Sequence, residues 1–446
     1  MSIFQNIIQK FQKAELYRKV SYNVFWLLFD KFFRLGVGLI IGVWIARYLG
    51  PDLFGRLNYA IAFSAIFGSM ASLGLDSIIV RELVKTPEER GSILGTSFLL
   101  KLFAGLVSVG IASASSYFSS PENPNTTLLV FLASLGFVFQ SANVIDAYFQ
   151  SLVISKYSVI AQNAAFILTS LIKLYLLTTS ASIEAFALVG SVEFAICSLF
   201  LAIVYHRGQG DFSGWSFKTK VAGSLIKDSW PLIITYCSYI LYTRIDQVLI
   251  GQFMNDRSVG IYSAVCRIYE LPMILASVFA QSINPRMIEL YSFDRKKYFD
   301  RYLHFTALTS FAGYVFVFLT IFASDWIIGL LYGPAFSEGA EILRILIITQ
   351  LFMFNAFFRS SHLTIENSQI YLLFSTLLAA ISNLILNIIF IPKFGMKGAA
   401  ITTVFSQIVS LFIFNIFFKK TREIFFLQLK AFLVYPLFNL IKRKPF

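Results

Sequence analysis

Charge is what this 446-residue sequence has least of, at 14% Asp, Glu, Lys and Arg, against about 25% in soluble globular chains. A soluble chain of this length would form about three domains. That is excluded here, because 57% of the residues are hydrophobic and they run in blocks of 20 or more, enough to cross a ~30 Å hydrocarbon layer as a helix. The three cysteines (Cys197, Cys237, Cys266) lie inside apolar blocks, without the close spacing of a metal site or a disulfide framework. They read as small packing residues. No zinc-like spacing, phosphate-cradling glycine loop or nucleophilic triad occurs, which argues against an enzyme. The net charge of +13 lacks the basic patch with interleaved aromatics that would bind nucleic acid. Met1 to Val20 is polar and mixed in charge, and the apolar block that follows is much longer than the ~7–15 residues of a signal peptide, so no cleaved leader is expected.

Apolar windows bounded by charge, Pro and Gly clusters predict spans near 22–46, 56–80, 92–118, 127–149, 156–178, 184–205, 228–253, 259–283, 303–323, 341–362, 368–391 and 397–418. The expected fold is an all-α polytopic membrane protein of about 12 transmembrane helices in two six-helix bundles. In order, these are a cytoplasmic segment (1–21), an N-terminal bundle (22–206), a cytoplasmic linker (207–227), a C-terminal bundle (228–418) and a tail (419–446). Within the tail, Ala431 to Ile441 is short and broken by Pro436, which favours an interfacial helix over another span. With the N-terminus inside, 25 Lys and Arg fall on the cytoplasmic side, 5 outside and 7 within spans, as the positive-inside rule requires. Both termini are then cytoplasmic.

Transporters are often built from repeats, and weak self-similarity is present. Tyr48-Leu49-Gly50-Pro51-Asp52-Leu53-Phe54-Gly55 has a counterpart 205 residues on in Phe253-Met254-Asn255-Asp256-Arg257-Ser258-Val259-Gly260, and Asp146 to Ser151 has one in Asn355 to Ser360. Six spans therefore repeat in the same orientation.

Lys31, Arg34, Lys101, Lys173, Arg244, Arg267 and Arg344 fall within spans. Each would cost roughly 2.5–3.5 kcal/mol at a helix centre, so they must be paired, wet or near enough to an end to snorkel. Asn23, Trp26, Asp30 and Arg34 share one helical stripe, with Asp30 and Arg34 able to pair at i, i+4. Thr235, Tyr239, Tyr242 and Asp246 share another, with Arg244 pointing away from Asp246. Arg267 and Glu270 are within reach at i, i+3. Lys101 and Lys173 read as structural, fastening helices or snorkelling. Arg34, Arg244 and Arg267 read as functional, because guanidinium groups bind phosphate oxygens bidentately and a diphosphate is the cargo such a wet cavity suits. Asn143 and Gln247 are candidates for sugar hydroxyls, with helix-to-helix hydrogen bonding the competing role. Asp30, Asp146, Asp246 and Glu270 are candidates for pairing or for coupling to a proton or sodium gradient. No metal or other cofactor is expected. His206, His304 and His362 are assigned to interfaces.

Ala46-Arg47-Tyr48-Leu49-Gly50-Pro51 with Phe54-Gly55, then Leu331-Tyr332-Gly333-Pro334-Ala335-Phe336 leading to Leu343-Arg344-Ile345-Leu346, and Gly395-Met396-Lys397-Gly398-Ala399-Ala400 together resemble the polysaccharide-transporter branch of the multidrug/oligosaccharidyl-lipid/polysaccharide exporters, which includes O-antigen flippases. The resemblance spans nearly the whole chain. It implies a V-shaped pair of bundles around a cationic central cavity, working by alternating access in the bacterial inner membrane. The implied cargo is an undecaprenyl-diphosphate-linked repeat unit, with membrane lipids, a polysaccharide polymerase and a chain-length regulator as partners. A multidrug or metabolite cation antiporter of the same superfamily is the alternative, and it would present mostly carboxylates. A membrane polymerase would need a large extramembrane loop, whereas every outside loop is short.

Overall fold

The computed structural model describes the backbone of residues 2–119, 121–208 and 210–433, with side chains except those of 2–25, 27–29 and 285. Among the described residues every regular element is helical. Among the described residues, nine helical stretches are long and apolar enough to cross a membrane. Two of these, Asp30–Lys85 and Ile370–Phe417, have 56 and 48 residues, about twice what one crossing needs. Each breaks at a glycine with positive φ, Gly50 (φ 69°) and Gly395 (φ 59°). Counting each as two crossings, and adding the charged helix Thr219–Phe253, brings the number to the twelve expected. The turns follow from residue chemistry: at Gly50-Pro51 and again at Gly333 (φ 83°) before Pro334, glycine enters the left-handed region without a Cβ clash, and proline starts the next helix where its missing N–H costs nothing.

The chain forms two compact units. The first takes residues up to Gly42 and Phe63–Tyr236. It holds most of α1 (Ser2–Ala71), then α2 (Asp76–Lys85), α3 (Arg90–Ser119), α4 (Pro124–Ser134), α5 (Gly136–Phe139), α6 (Asn143–Ser151), α7 (Lys156–Thr178), α8 (Ile183–Arg207) and the start of α9 (Thr219–Phe253). One hydrophobic core of this unit joins Leu75, Ile79, Leu94, Ile145, Tyr148 and Tyr205. The segment expected as a linker is docked on this core, since Trp215 Nε1 donates to the Tyr205 hydroxyl at 3.1 Å, and from Thr219 it is already helix. Within it the Ser213 amide and hydroxyl donate to Asp211, holding that carboxyl below its usual range.

The second unit takes Val43–Ala62 and everything from Cys237. Beyond the rest of α9 it comprises α10 (Asp256–Tyr269), α11 (Leu271–Phe293), α12 (Arg295–Tyr332), α13 (Gly339–Leu346), α14 (Gln350–Ile365), α15 (Ile370–Ile408), α16 (Phe414–Phe417) and α17 (Lys419–Phe432). Val43–Ala62 belongs here because of one close crossing. A Cβ on Gly55 would fall 1.7 Å from the Asp256 carbonyl oxygen, and one on Gly260 2.0 Å from that of Pro51. Only small residues let two membrane helices approach so closely, and these two glycines hold equivalent positions in the repeat. His362 departs from its expected interface placement: it is buried at the end of α14, with Nδ1 2.6 Å from the Tyr298 hydroxyl, because an aromatic cluster with Tyr302 and Phe358 encloses it. The expected tail helix falls mostly outside the described residues, which end at Leu433, within the stretch.

Candidate functional site

In the first unit Arg34 and Lys173 are neutralised by Asp30 and Glu193. Arg34 Nε donates to Asp30 at 2.9 Å and Nη1 lies 3.8 Å from Glu193. Its Nη2 donates to the Gln162 carbonyl at 2.7 Å, and the guanidinium rests 5.2 Å from the Phe166 ring centroid. Lys173 Nζ and the Thr169 hydroxyl both donate to Glu193 at 3.2 Å. Arg34, expected to face cargo, thus has its donors taken up by protein groups. The side chain of Asn23, from the same predicted stripe, lies outside the described ones. Lys101 does not snorkel: it is 2% exposed and donates to Asp76. Asp146 accepts from Gln150 Nε2 at 2.9 Å. Asn143 is half-buried, and its side chain has no hydrogen bond among the described residues.

The second unit is cationic by contrast. Arg344 is paired with Asp325, but among the described residues Arg244 and Arg267 are not paired with any carboxylate. Arg267 Nη2 donates to Asn58 Oδ1 at 3.3 Å, and its guanidinium carbon sits 5.1 Å from the Phe54 ring centroid. Arg244 makes no hydrogen bond and no ion pair within 4 Å among the described residues. Glu270 makes no ion pair within 4 Å with either arginine among the described residues. The direct Arg267–Glu270 pair that the i, i+3 spacing predicts is not formed, because Arg267 turns to Asn58. Two guanidinium groups and one carboxylate leave an excess positive charge, with most of their ten N–H donors unused.

Asp246 forms a separate cluster. Only 5% exposed, it accepts from the Tyr262 hydroxyl at 2.7 Å, from Asn387 Nδ2 at 2.6 Å and from Thr403. Asn387 donates also to Asn383 Oδ1 at 3.0 Å and accepts from Thr402 at 2.5 Å. Among the described residues no basic side chain pairs with it within 4 Å, as the opposite direction of Arg244 on α9 predicts. A carboxylate buried without a cation must be protonated or must hold an ion, and the side-chain oxygens of Asp246, Asn383, Asn387, Thr402 and Thr403 are the hard donors that a small cation needs. Gln247 is buried beside Cys266.

Three participants carried a signal that the sequence reading passed over. Glu193 is an acid in the middle of a span, and Asn383 and Asn387 repeat at i, i+4 in an otherwise apolar helix. A third basic residue, Arg359, is 2% exposed and held by Asn415 Oδ1 at 2.8 Å, next to the π-helical turn Val409–Ile413.

A family described as polysaccharide biosynthesis protein matches residues 20–291, and one described as MatE matches residues 231–389. The capsular polysaccharide biosynthesis protein CapF of Staphylococcus aureus is 24% identical over 384 residues, 84% of this chain and 93% of that one. A probable low-salt glycan biosynthesis flippase, Agl15 of Haloferax volcanii, is 26% identical over 196 residues, 44% of this chain and 41% of its own. The fold is shared with an inward-facing multidrug resistance MATE family transporter (TM-score 0.71, 14% identity, 90% of this chain and 95% of that one). It is shared also with the lipid II flippase MurJ in an inward closed conformation (TM-score 0.70, 19% identity, 94% and 92%). The chain therefore belongs to the polysaccharide biosynthesis protein family, within the multidrug/oligosaccharidyl-lipid/polysaccharide exporter superfamily, as a multi-pass membrane transporter of the flippase kind and not an enzyme.

Proposed function

We propose that this flippase carries an undecaprenyl-diphosphate-linked oligosaccharide across the bacterial inner membrane by alternating access, for O-antigen, capsule or exopolysaccharide assembly. The observation that carries the reading is the pair Arg244 and Arg267, half-buried in membrane-spanning helices with no carboxylate salt bridge among the described residues. Such guanidinium groups are stable in a bilayer only beside water or an anion, and a diphosphate is the anion of matching geometry. A cation antiporter would need the reverse balance, yet here Asp30 and Glu193 are neutralised by Arg34 and Lys173, and Glu270 is outnumbered. CapF, named for capsular polysaccharide biosynthesis, and MurJ, named as a lipid II flippase, point to the same cargo class. Both termini are cytoplasmic in this reading, and a polymerase and a chain-length regulator act downstream.

Coupling is assigned to Asp246, with sodium or a proton as the exchanged ion. In proteoliposomes loaded with a fluorescent lipid-linked oligosaccharide, the protein should move the glycan to the opposite leaflet faster under a sodium or proton gradient. Asp246→Asn should slow this at least tenfold and remove the gradient dependence. Movement of a cationic dye without any movement of the glycan lipid would reject the proposal in favour of the antiporter.

A further inference from the structure

Val43–Ala62 is a strap: the chain enters the second unit at Val43 and leaves it after Ala62. Four kinds of contact hold it there. Arg47 donates to the carbonyls of Leu330 and, at 2.7 Å, Leu331, where the C-terminal end of α12 carries the negative end of the helix dipole. Arg56 Nε pairs with Asp256 at 3.0 Å, the Phe54 ring meets Phe336 edge-on at 6.2 Å, and Gly55 crosses Gly260. A fifth contact differs in kind, because it is made to the candidate cargo-binding arginine. Asn58 donates from Nδ2 to the Phe54 carbonyl at 2.7 Å, which aims Oδ1 at Arg267 Nη2, 3.3 Å away, while the Phe54 ring lies against the same guanidinium.

We infer that Asn58 is the positioning residue of a cargo-operated latch, in which a diphosphate on Arg267 takes the guanidinium from Asn58 and Phe54 and thereby loosens the strap. The chemistry favours this exchange. A neutral amide oxygen at 3.3 Å is a weak acceptor, whereas hydrogen bonds from a guanidinium to phosphate oxygens are shorter and roughly twice as strong. Asn58 thus parks Arg267 without neutralising it, a role that a carboxylate at this position could not fill, since it would hold the arginine against its ligand. The inference rests on the reading of Arg267 as a diphosphate ligand.

The test combines binding with hydrogen exchange on the detergent-solubilised full chain, using farnesyl diphosphate as probe and farnesol as the uncharged control. In the wild-type protein, farnesyl diphosphate should bind and should raise amide exchange across 43–62 at least threefold, while farnesol leaves it unchanged. Asn58→Asp should bind the probe at least tenfold more weakly and keep the strap protected. Asn58→Ala should bind it and show fast strap exchange before the probe is added. Binding to the wild type without any change in strap exchange would overturn the latch and leave the Arg267 site standing. Absence of binding would overturn both.

Discussion

Arg267→Ala should reduce surface glycan to background while leaving the protein at normal abundance in the membrane. Removing a guanidinium that makes charge-assisted contacts to a diphosphate forfeits about 2–3 kcal/mol, which corresponds to roughly thirty- to a hundredfold in binding. Because Arg267 makes one long hydrogen bond and one ring contact inside the protein, its loss strands no buried carboxylate partner, and the fold should tolerate it. Arg34→Ala should behave in the opposite way. It would leave Asp30 facing no cation and Glu193 with Lys173 alone, so the expected defect is lower abundance of folded protein. Quantitative immunoblotting beside glycan staining separates the two outcomes. Normal glycan in Arg267→Ala would remove this residue from the transport path.

Gly55→Val should be the most damaging single change to the fold. The space that its Cβ would need is occupied by the backbone of Asp256 and Gly260, and backbone cannot rotate aside as a side chain can. Overpacking commonly costs about 1–3 kcal/mol, and more where the neighbour is rigid. Gly260→Val should match it, since it strikes Pro51 and Gly55 from the other side. Gly110, with no atom within 4 Å of its missing Cβ, is the control, and Gly110→Val should give wild-type yield. The measurement is the height of the monodisperse peak in detergent size-exclusion chromatography. Equal yields from Gly55→Val and Gly110→Val would mean that the crossing is not as tight as described.

The fold was legible because the bilayer imposes a simple code: each block of about twenty apolar residues became a crossing, and both Gly-Pro pairs became turns. The helix ends were not legible. Hydropathy registers only the part of a helix in hydrocarbon, so α9 starts at Thr219 where the apolar window starts at 228, and α12 runs 295–332 around a window of 303–323. For the site, local spacing found Asp30 with Arg34 correctly, because i, i+4 neighbours need no knowledge of the fold. It did not find the second acid beside Arg34, because Glu193 comes from a helix far along the chain. It could not foresee that Arg267 would choose Asn58 over the nearer Glu270, since that choice depends on which helices are packed together.

The meeting of Gly55 with Gly260 has an ancestral reading. The same position of two repeats touches itself there, which is the property of a residue on the axis of an isologous dimer. A half-length chain bearing this turn would make the identical contact with its own copy.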